Sequence, residues 1–412
     1  MRQLKNNFLC RICQSTKLYP FLSLGSMPIP NGFLEKQDLK NQEKLYPLQV
    51  SVCENCWLVQ LKHVVSAEEM FKNYLYIPST SFTMLEHFKS LCDDTVKQFN
   101  LDENDLVVDI GSNDGTLLGF FKEQEIKILG VDPATNLANT ACLKGIETIN
   151  NYFSEILAKE IVAKKGKATV ITACNVVAHI NDLDDFFRAM SILLKEKGTV
   201  IIEFPYFLDL LDKNEFDTIY HEHLSYFSLF PFLQLLKKHH FLIFDIKRIP
   251  VHGGSLRIHI VKEAGNFVDK IVNEFLDEEL AKKIDKKITY QNFAHRVKSI
   301  KRDLVDFLGK LKKQGKRIAG YGAAAKGNVL LNYCQIGIET IEYIVDSIPY
   351  KQGRYTPGTH IPIYPESRLE KDMPDYVLLL AWNFADEILR KQMKYREKGG
   401  QFIITIPYLR IE

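Results

Sequence analysis

Between about residue 85 and residue 262 short apolar runs alternate with stretches of helical spacing. Leu106–Ile110, Ile126–Val131, Ala168–Thr172 and Thr199–Glu203 read as buried strands. Leu85–Phe99, Leu117–Lys122, Thr135–Lys144 and Leu183–Leu194 read as helices around them. Strands alternating with helices predict parallel βαβ units in a doubly wound sheet. Phe232–His240 predicts one further helix. Leu242–Ile249 and Ser255–Val261 flank the turn Pro250-Val-His-Gly-Gly254 and predict an antiparallel hairpin at the end of that sheet.

The pattern differs on either side. Residues 1 to about 80 carry short apolar pieces punctuated by Pro20, Pro28, Pro30 and Pro47, which predicts a small, irregular module. Residues 266–312 are charged and periodic, without proline, and predict one or two amphipathic helices bridging domains. A second α/β pattern starts at Lys316. Arg317–Gly322 is a strand running into a glycine turn, and Ala323–Tyr333 a helix. Ile341–Val345, Tyr376–Leu380 and Phe402–Ile406 are further strands. The fold class is therefore α/β, in several domains, as 412 residues also lead one to expect.

Composition narrows the function classes. Hydrophobic residues at 46% and charged residues at 25% describe a globular protein, and a net charge of +2 gives no nucleic-acid footprint. The basic runs Lys282–Lys287 and Lys310–Arg317 are interrupted as solvated helix faces are. No apolar run approaches the roughly 18–20 residues of a membrane span. The start, Met1 to Leu9, is polar, and with eight cysteines it predicts reduced thiols in a cytoplasmic protein.

Four of those cysteines form two C-x-x-C pairs, Cys10/Cys13 and Cys53/Cys56. Two such turns make a four-sulfur tetrahedral cage for a structural zinc ion. Zinc would supply on the order of 10 kcal/mol to a module too small to be stable alone. A redox pair fits less well, because such motifs come singly. Cys92, Cys142, Cys174 and Cys334 are scattered and read as buried small hydrophobes.

Candidate chemistry sits at strand ends. Val107-Val-Asp-Ile-Gly-Ser-Asn-Asp-Gly115 is a strand, a loop bounded by Gly111 and Gly115, then a helix. Asn113 and Asp114 inside that loop, with Asp109 before it, repel a pyrophosphate but suit an amino group or a sulfonium. Asp132 ends the next strand, where doubly wound folds hold ribose hydroxyls. Asp109 and Asp132 together point to S-adenosylmethionine; the plain alternative is a structural turn with surface acids. Thr218-Ile-Tyr-His-Glu-His-Leu-Ser-Tyr226 follows the strand that ends at Glu203-Phe-Pro-Tyr206, and His179 follows another strand end. His221 and His223 admit a metal site, a structural cluster, or acid–base work with Tyr220 and Tyr226 as donors. Gly320-x-Gly322 with Lys326 suits a pyrophosphate at a helix N-terminus. Arg354 is a second phosphate candidate or a surface arginine that closes its loop.

These residues resemble the sugar C-methyltransferases of deoxysugar biosynthesis, which act on nucleotide-linked 4-ketosugars. The resemblance runs through Cys10/Cys13 and Cys53/Cys56, Tyr74-Leu-Tyr76, Asp109–Gly115, Asn175–His179, Glu203–Tyr206, Tyr220-His-Glu-His223, His252–Ser255 and Gly320-Tyr-Gly-Ala-Ala-Ala-Lys-Gly-Asn328. It implies three units: a zinc-binding module (1–82), a class I S-adenosylmethionine methyltransferase domain on a seven-stranded sheet (83–265), and a helical linker with a Rossmann-like nucleotide-sugar domain (266–412). It implies His223 as the base beside the ketone, with Tyr220, Glu222, His179 and Tyr76 in the same site. Asn175 would join the cofactor residues. Tyr74, Tyr206, Gly322, Lys326, Asn328 and Arg354 would meet the nucleotide sugar, dTDP-linked or similar. Pro78 stands where many relatives carry serine. The expected reaction is methyl transfer to the carbon alpha to the ketone, C3, through an enolate. The rivals are O- or N-methylation and a non-catalytic zinc- and nucleotide-binding adaptor. Neither a nucleic acid nor a membrane is an expected partner, and the oligomeric state stays open.

Overall fold

The computed structural model describes residues 8–71, 74, 77–262 and 270–412. In chain order its strands are β1 (Leu18–Met27), β2 (Tyr46–Cys53), β3 (Val59–Leu61), β4 (Leu106–Ile110), β5 (Lys127–Val131), β6 (Thr148–Ile149), β7 (Ala168–Cys174), β8 (Leu194–Pro205) and β9 (Ser225–Tyr226). There follow β10 (Phe241–Ile249), β11 (Ser255–Lys262), β12 (Ile318–Tyr321), β13 (Ile344–Val345), β14 (Ile363–Tyr364), β15 (Tyr376–Leu379), β16 (Gln401–Ile404) and β17 (Arg410–Ile411). Among the described residues they form three sheets.

The middle sheet has seven strands in the order β10-β11-β8-β7-β4-β5-β6. β8, β7, β4, β5 and β6 are parallel, and β11 turns the edge antiparallel. The residues of β4, Leu-Val-Val-Asp-Ile, are all buried, as a strand covered by helices on both faces must be. Ser81 caps the helix Phe82–Phe99 by accepting from Met84 N, and Asn100 closes it in the left-handed region (φ 49°). The third sheet, β14-β13-β12-β15-β16-β17, is parallel except for β17.

The N-terminal module is not irregular. β1, β2, β3 and β9 form an antiparallel sheet. Its fourth strand comes from a segment more than a hundred residues away. Register shifts between Pro20 and Leu22 and between Ser23 and Ser26 break the alternation that would have announced β1. Pro20 is tolerated because β1 is an edge strand. Other elements also escaped the periodicity, among them β6, β14, β17 and the helices Glu155–Lys165 and Ala385–Lys391. The helix read from Phe232 starts at Leu229, because Pro231 falls in its first turn, where no backbone donor is needed. Cys142 is exposed rather than buried, on the helix Thr135–Leu143.

The two linker helices go to different partners. Val272 of the helix Lys270–Ala281 packs with Leu256 and Ile258 of the middle sheet. Tyr290, Phe293 and Leu304 of the helix Lys287–Lys313 share one core with Leu48 and Val50 of the first sheet and Ile318 of the third. No helix among the described residues is long and apolar enough to cross a membrane.

Tyr206 belongs to this framework rather than to a substrate pocket. It is fully buried, and its hydroxyl donates to Glu279 Oε1 at 2.8 Å. Glu279 also accepts from the backbone of Leu229 and Phe230 at 2.5 and 2.9 Å, so it caps the helix Leu229–Lys238 from a different helix. Burial raises the Glu279 carboxyl to about 7. Tyr206→Phe should lower stability by about 1–3 kcal/mol in denaturant unfolding, with an unchanged acceptor KM. A raised KM at unchanged stability would return Tyr206 to the substrate.

Candidate active site

A cavity of about 760 Å³ opens where the three sheets meet. Its wall takes Asn31 and Tyr74 from the first module, Asp109 and His223 from the middle, and Gly322 and Lys326 from the third. The carboxyl edge of the middle sheet faces it, where open α/β sheets place ligands.

The loop after β4 is shaped by two residues of positive φ, Gly111 (71°) and Asn113 (53°). A Cβ on Gly111 would lie 2.4 Å from Val176 Cγ2, so only glycine fits. Asp132 accepts from the backbone N–H of Asn113 and of Ala134, both at 2.8 Å, and fixes the loop across two strand ends. Asp109 accepts from Thr172 Oγ1 at 2.6 Å, and burial, with the Asp132 and Glu203 carboxylates nearby, raises its carboxyl to about 7. Asn175 lines the same wall, and its buried Oδ1 has no hydrogen-bond partner; Ser112 Oγ is likewise unpartnered.

Two residues read as cofactor ligands turn elsewhere. Asp114 accepts from Lys144 at 2.7 Å, Thr116 at 2.6 Å and Ser79 at 2.6 Å, and does not line the cavity. It ties residues 78–81 to the loop. Gly115 (φ 78°) precedes the helix Thr116–Glu123, where a Cβ would meet Ile146 at 2.7 Å; its role is packing.

The polar cluster divides by direction. His223 Nδ1 donates to the Thr218 carbonyl at 3.0 Å, and the Tyr220 hydroxyl donates to Nε2 at 2.9 Å. The His179 ring stands edge-on, with centroids 5.0 Å apart. Burial, with His179 and Lys326 nearby, holds the His223 pKa well below its ordinary value. His179 falls to about 4 through burial. His221 points the other way, Nε2 donating to Tyr46 O at 3.2 Å. The two histidines therefore do not converge on one metal. Glu222 lies behind the wall, accepting from Asn31 Nδ2 at 2.6 Å and Tyr74 Oη at 2.8 Å, with burial raising it to about 7. Tyr226 is buried in the first sheet. Tyr76 lies outside the described residues.

On the third sheet Gly322 (φ 86°) and Lys326 line the cavity. Lys326 Nζ donates to His252 O at 3.0 Å and lies 4.7 Å from the Trp382 ring centre. Asn328 does not reach the cavity; it is buried and donates to Pro30 O at 2.7 Å, stapling the first module to the third. Arg354 also lies outside, 3.6 Å from Glu35 and beside Tyr350, as a surface arginine. The motif reading missed Asp346, which lines the cavity and accepts from Ala323 N and Ile348 N at 2.7 and 2.8 Å. The signal was present, since Val345-Asp346 repeats at a strand end what Val131-Asp132 does in the middle domain.

The four cysteines of the two pairs place their sulfurs within 4.8 Å of one another, the group of three or more metal-ligating side chains found among the described residues. Cys10 to Cys56 is 3.4 Å and Cys13 to Cys53 is 3.5 Å. A zinc tetrahedron with bonds of about 2.3 Å has sulfur–sulfur edges of about 3.8 Å, so the cage fits the ion.

Models of three families match the chain: a zinc binding domain over residues 10–71, a methyltransferase domain over 84–243, and a C-methyltransferase C-terminal domain over 250–407. The chain is 37% identical to C-methyltransferase NovU of Streptomyces niveus over 403 residues, covering 98% of this chain and 96% of that protein. The chain belongs to the C-methyltransferase family. It also matches a S-adenosylmethionine-dependent methyltransferase from Clostridium acetobutylicum (16% identity, 44% of this chain and 92% of that one, TM-score 0.35). A magnesium protoporphyrin IX methyltransferase from Synechocystis, solved with bound S-adenosylmethionine, matches at 14% identity (46% and 86%, TM-score 0.33). Likenesses at that level decide nothing about chemistry.

This C-methyltransferase takes S-adenosylmethionine as its methyl donor and carries a zinc-binding cysteine cage. The cavity fits the donor. Asp109, Asp132 and Asn175 line it, and the unpartnered Asn175 Oδ1 with the two carboxylates is a set of acceptors that would suit a ligand bearing an ammonium and a sulfonium.

A cationic ligand selects the ionised form of Asp109, so S-adenosylmethionine affinity should rise as pH climbs through about 7. The same raised pKa means that the ligand-free protein loses stability as pH rises from the unfolded carboxyl's 3.8 to about 7. Asp109→Asn stays neutral. Relative to wild type its melting temperature should therefore gain between pH 5 and pH 8, while its cofactor affinity falls and loses that pH dependence. Calorimetric titration and thermal melts at several pH values read both signs; an unchanged affinity profile in the variant would remove Asp109 from the cofactor site.

Proposed function

We propose that this C-methyltransferase alkylates the carbon next to the ketone, C3, of a nucleotide-linked 4-keto deoxysugar. The observation that carries the reading is the state of His223. A backbone carbonyl accepts from Nδ1, so the proton sits there and the lone pair is at Nε2. Burial keeps the imidazole neutral. A neutral imidazole in a cavity built from three sheets is a base ready to act.

In this reading the units 1–82, 83–265 and 266–412 divide the labour. Gly322, the N-terminus of the helix Ala325–Cys334 and Lys326 receive the pyrophosphate. His223 Nε2 takes the proton from C3. The C–H electron pair becomes the C3–C4 double bond, and the carbonyl electrons move onto the ketone oxygen. Tyr220, released from Nε2 by the substrate, donates to that oxygen as its charge develops. The donor, when bound, would supply a methyl on a positively charged sulfur. The oxygen pair would re-form the C4 carbonyl, the C3–C4 π pair would become the new bond from C3 to the methyl, and the sulfur would keep the pair of the broken S–CH3 bond. His223 then returns its proton to solvent. The product would enter a cell-surface polysaccharide or a glycosylated metabolite, and the enzyme would work in the cytoplasm.

Incubating a dTDP-4-keto-6-deoxysugar with the enzyme in D2O, without the methyl donor, should wash deuterium into C3. His223→Ala should slow that exchange by roughly 10²–10⁴-fold. An absence of exchange together with no C–C product in the wild type would defeat carbon methylation, and exchange at the wild-type rate in the variant would remove His223 as the base.

A further inference from the structure

Arg11 stands between Cys10 and Cys13, yet its side chain turns inward and is 7% exposed. Its backbone N–H and its Nη1 both donate to Gln60 Oε1, at 3.1 and 3.0 Å. Nη1 also donates to the carbonyls of Leu61 and Leu224, each at 3.1 Å. Nε donates to Asn181 Oδ1 at 3.1 Å. These partners are carbonyls and amides rather than carboxylates. Nη2 is buried without a partner, so burying this guanidinium is costly. A solvent-facing residue would have served an ordinary knuckle.

The acceptors lie on three segments. Gln60 and Leu61 belong to β3, Leu224 directly follows His223, and Asn181 comes two residues after His179. The two histidine segments also meet through Leu224 N, which donates to Ala178 O at 2.8 Å. One rigid fork thus grips a carbonyl beside one histidine and an amide beside the other. The turn that carries the fork is closed by Gln14 N to Cys10 O and by Cys10 N to Ser15 O, both at 2.9 Å. The cysteine cage holds the same turn.

We propose that Arg11 is a positioning residue for methyl transfer, through which the cysteine knuckle sets the spacing of His179 and His223. The proposal rests on His223 being the base. It assigns the zinc module a task beyond stability: the knuckle fixes the site from behind while touching neither substrate nor cofactor.

The test uses the full-length, zinc-loaded enzyme and the deuterium exchange at C3, which needs no methyl donor. Arg11→Ala should keep its zinc content, measured by elemental analysis, and hold its S-adenosylmethionine Kd within about twofold, while the exchange rate falls roughly 100-fold, the cost of misplacing a positioned group by about an ångström. Millimolar guanidinium added to that variant should restore exchange several-fold, and it should do nothing for the wild type. Arg11→Lys, a point donor in place of a fork, should fall between the two. Asn181→Ala cuts one anchor without touching the knuckle and should slow exchange with zinc unchanged, which keeps the test open if Arg11→Ala fails to fold. Wild-type exchange in Arg11→Ala or Asn181→Ala overturns the proposal. So does a loss of exchange that tracks lost zinc or lost cofactor affinity and does not respond to guanidinium, since that marks a structural role only. Failure of the base assignment is seen separately, as wild-type exchange in His223→Ala.

Discussion

The structure turns on one splice. β9 leaves the middle domain and pairs with β3 of the first module, Val59 opposite Tyr226 and Gln60 opposite Ser225. Leu61 N donates to Leu224 O at 2.9 Å and extends the pairing by one more bond. The segment of nine residues, Thr218–Tyr226, thereby joins the first module's sheet while Leu224 N holds it to Ala178 O, in the segment after β7. It cannot shift without breaking a ladder whose amides are buried. His221, Glu222, Leu224 and Ser225 are all at most 2% exposed. Part of that polar run is partnered from another unit, Tyr46 for His221 Nε2 and Asn31 and Tyr74 for Glu222, while the hydroxyls of Thr218, Ser225 and Tyr226 are buried without a partner.

Packing follows the same logic. The knuckle residues Cys10, Ile12, Cys56 and Leu58 share a core with Phe204 and Phe227 of the middle domain. The strands of the same module share a different core with the long helix Lys287–Lys313 and the third sheet. The first module is therefore wedged between two cores and belongs wholly to neither. A four-stranded sheet this small gains little by burying itself. The four convergent sulfurs hold the end of it that faces the middle domain, and Asn328 holds the end that faces the third sheet.

What the chain disclosed in advance was local. The paired cysteines, Asp109 and Asp132 follow from spacing and strand ends, because the geometry that makes them useful is set within a few residues. Residues whose direction depends on distant partners were not legible. Tyr206 is turned by Glu279, Asp114 by Lys144 and Ser79, Asn328 by Pro30, and Arg354 lies beside Glu35. None of those partners is predictable from a motif. The N-terminal sheet was hidden for the same reason, since its fourth strand arrives from residue 225 and its first is broken by register shifts. Asp346 was a readable signal passed over, a strand-end acid in the second α/β unit.

The depressed pKa of His223 bears on the proposed reaction. A base whose conjugate acid is disfavoured abstracts a proton weakly, which looks like a poor choice for a carbon acid. Lys326 and His179 are among the causes of that depression, after burial. A substrate carrying a pyrophosphate at Lys326 would offset the first, and the enolate forming beside His223 would itself favour the imidazolium. The basicity would then rise when the substrate is in place and stay low when the site is empty. In the empty site the imidazole is neutral, with its lone pair held at Nε2 by the Thr218 carbonyl and covered by the Tyr220 hydroxyl. On this reading the electrostatics of the cavity keep the base uncharged until an anionic substrate arrives to make it strong.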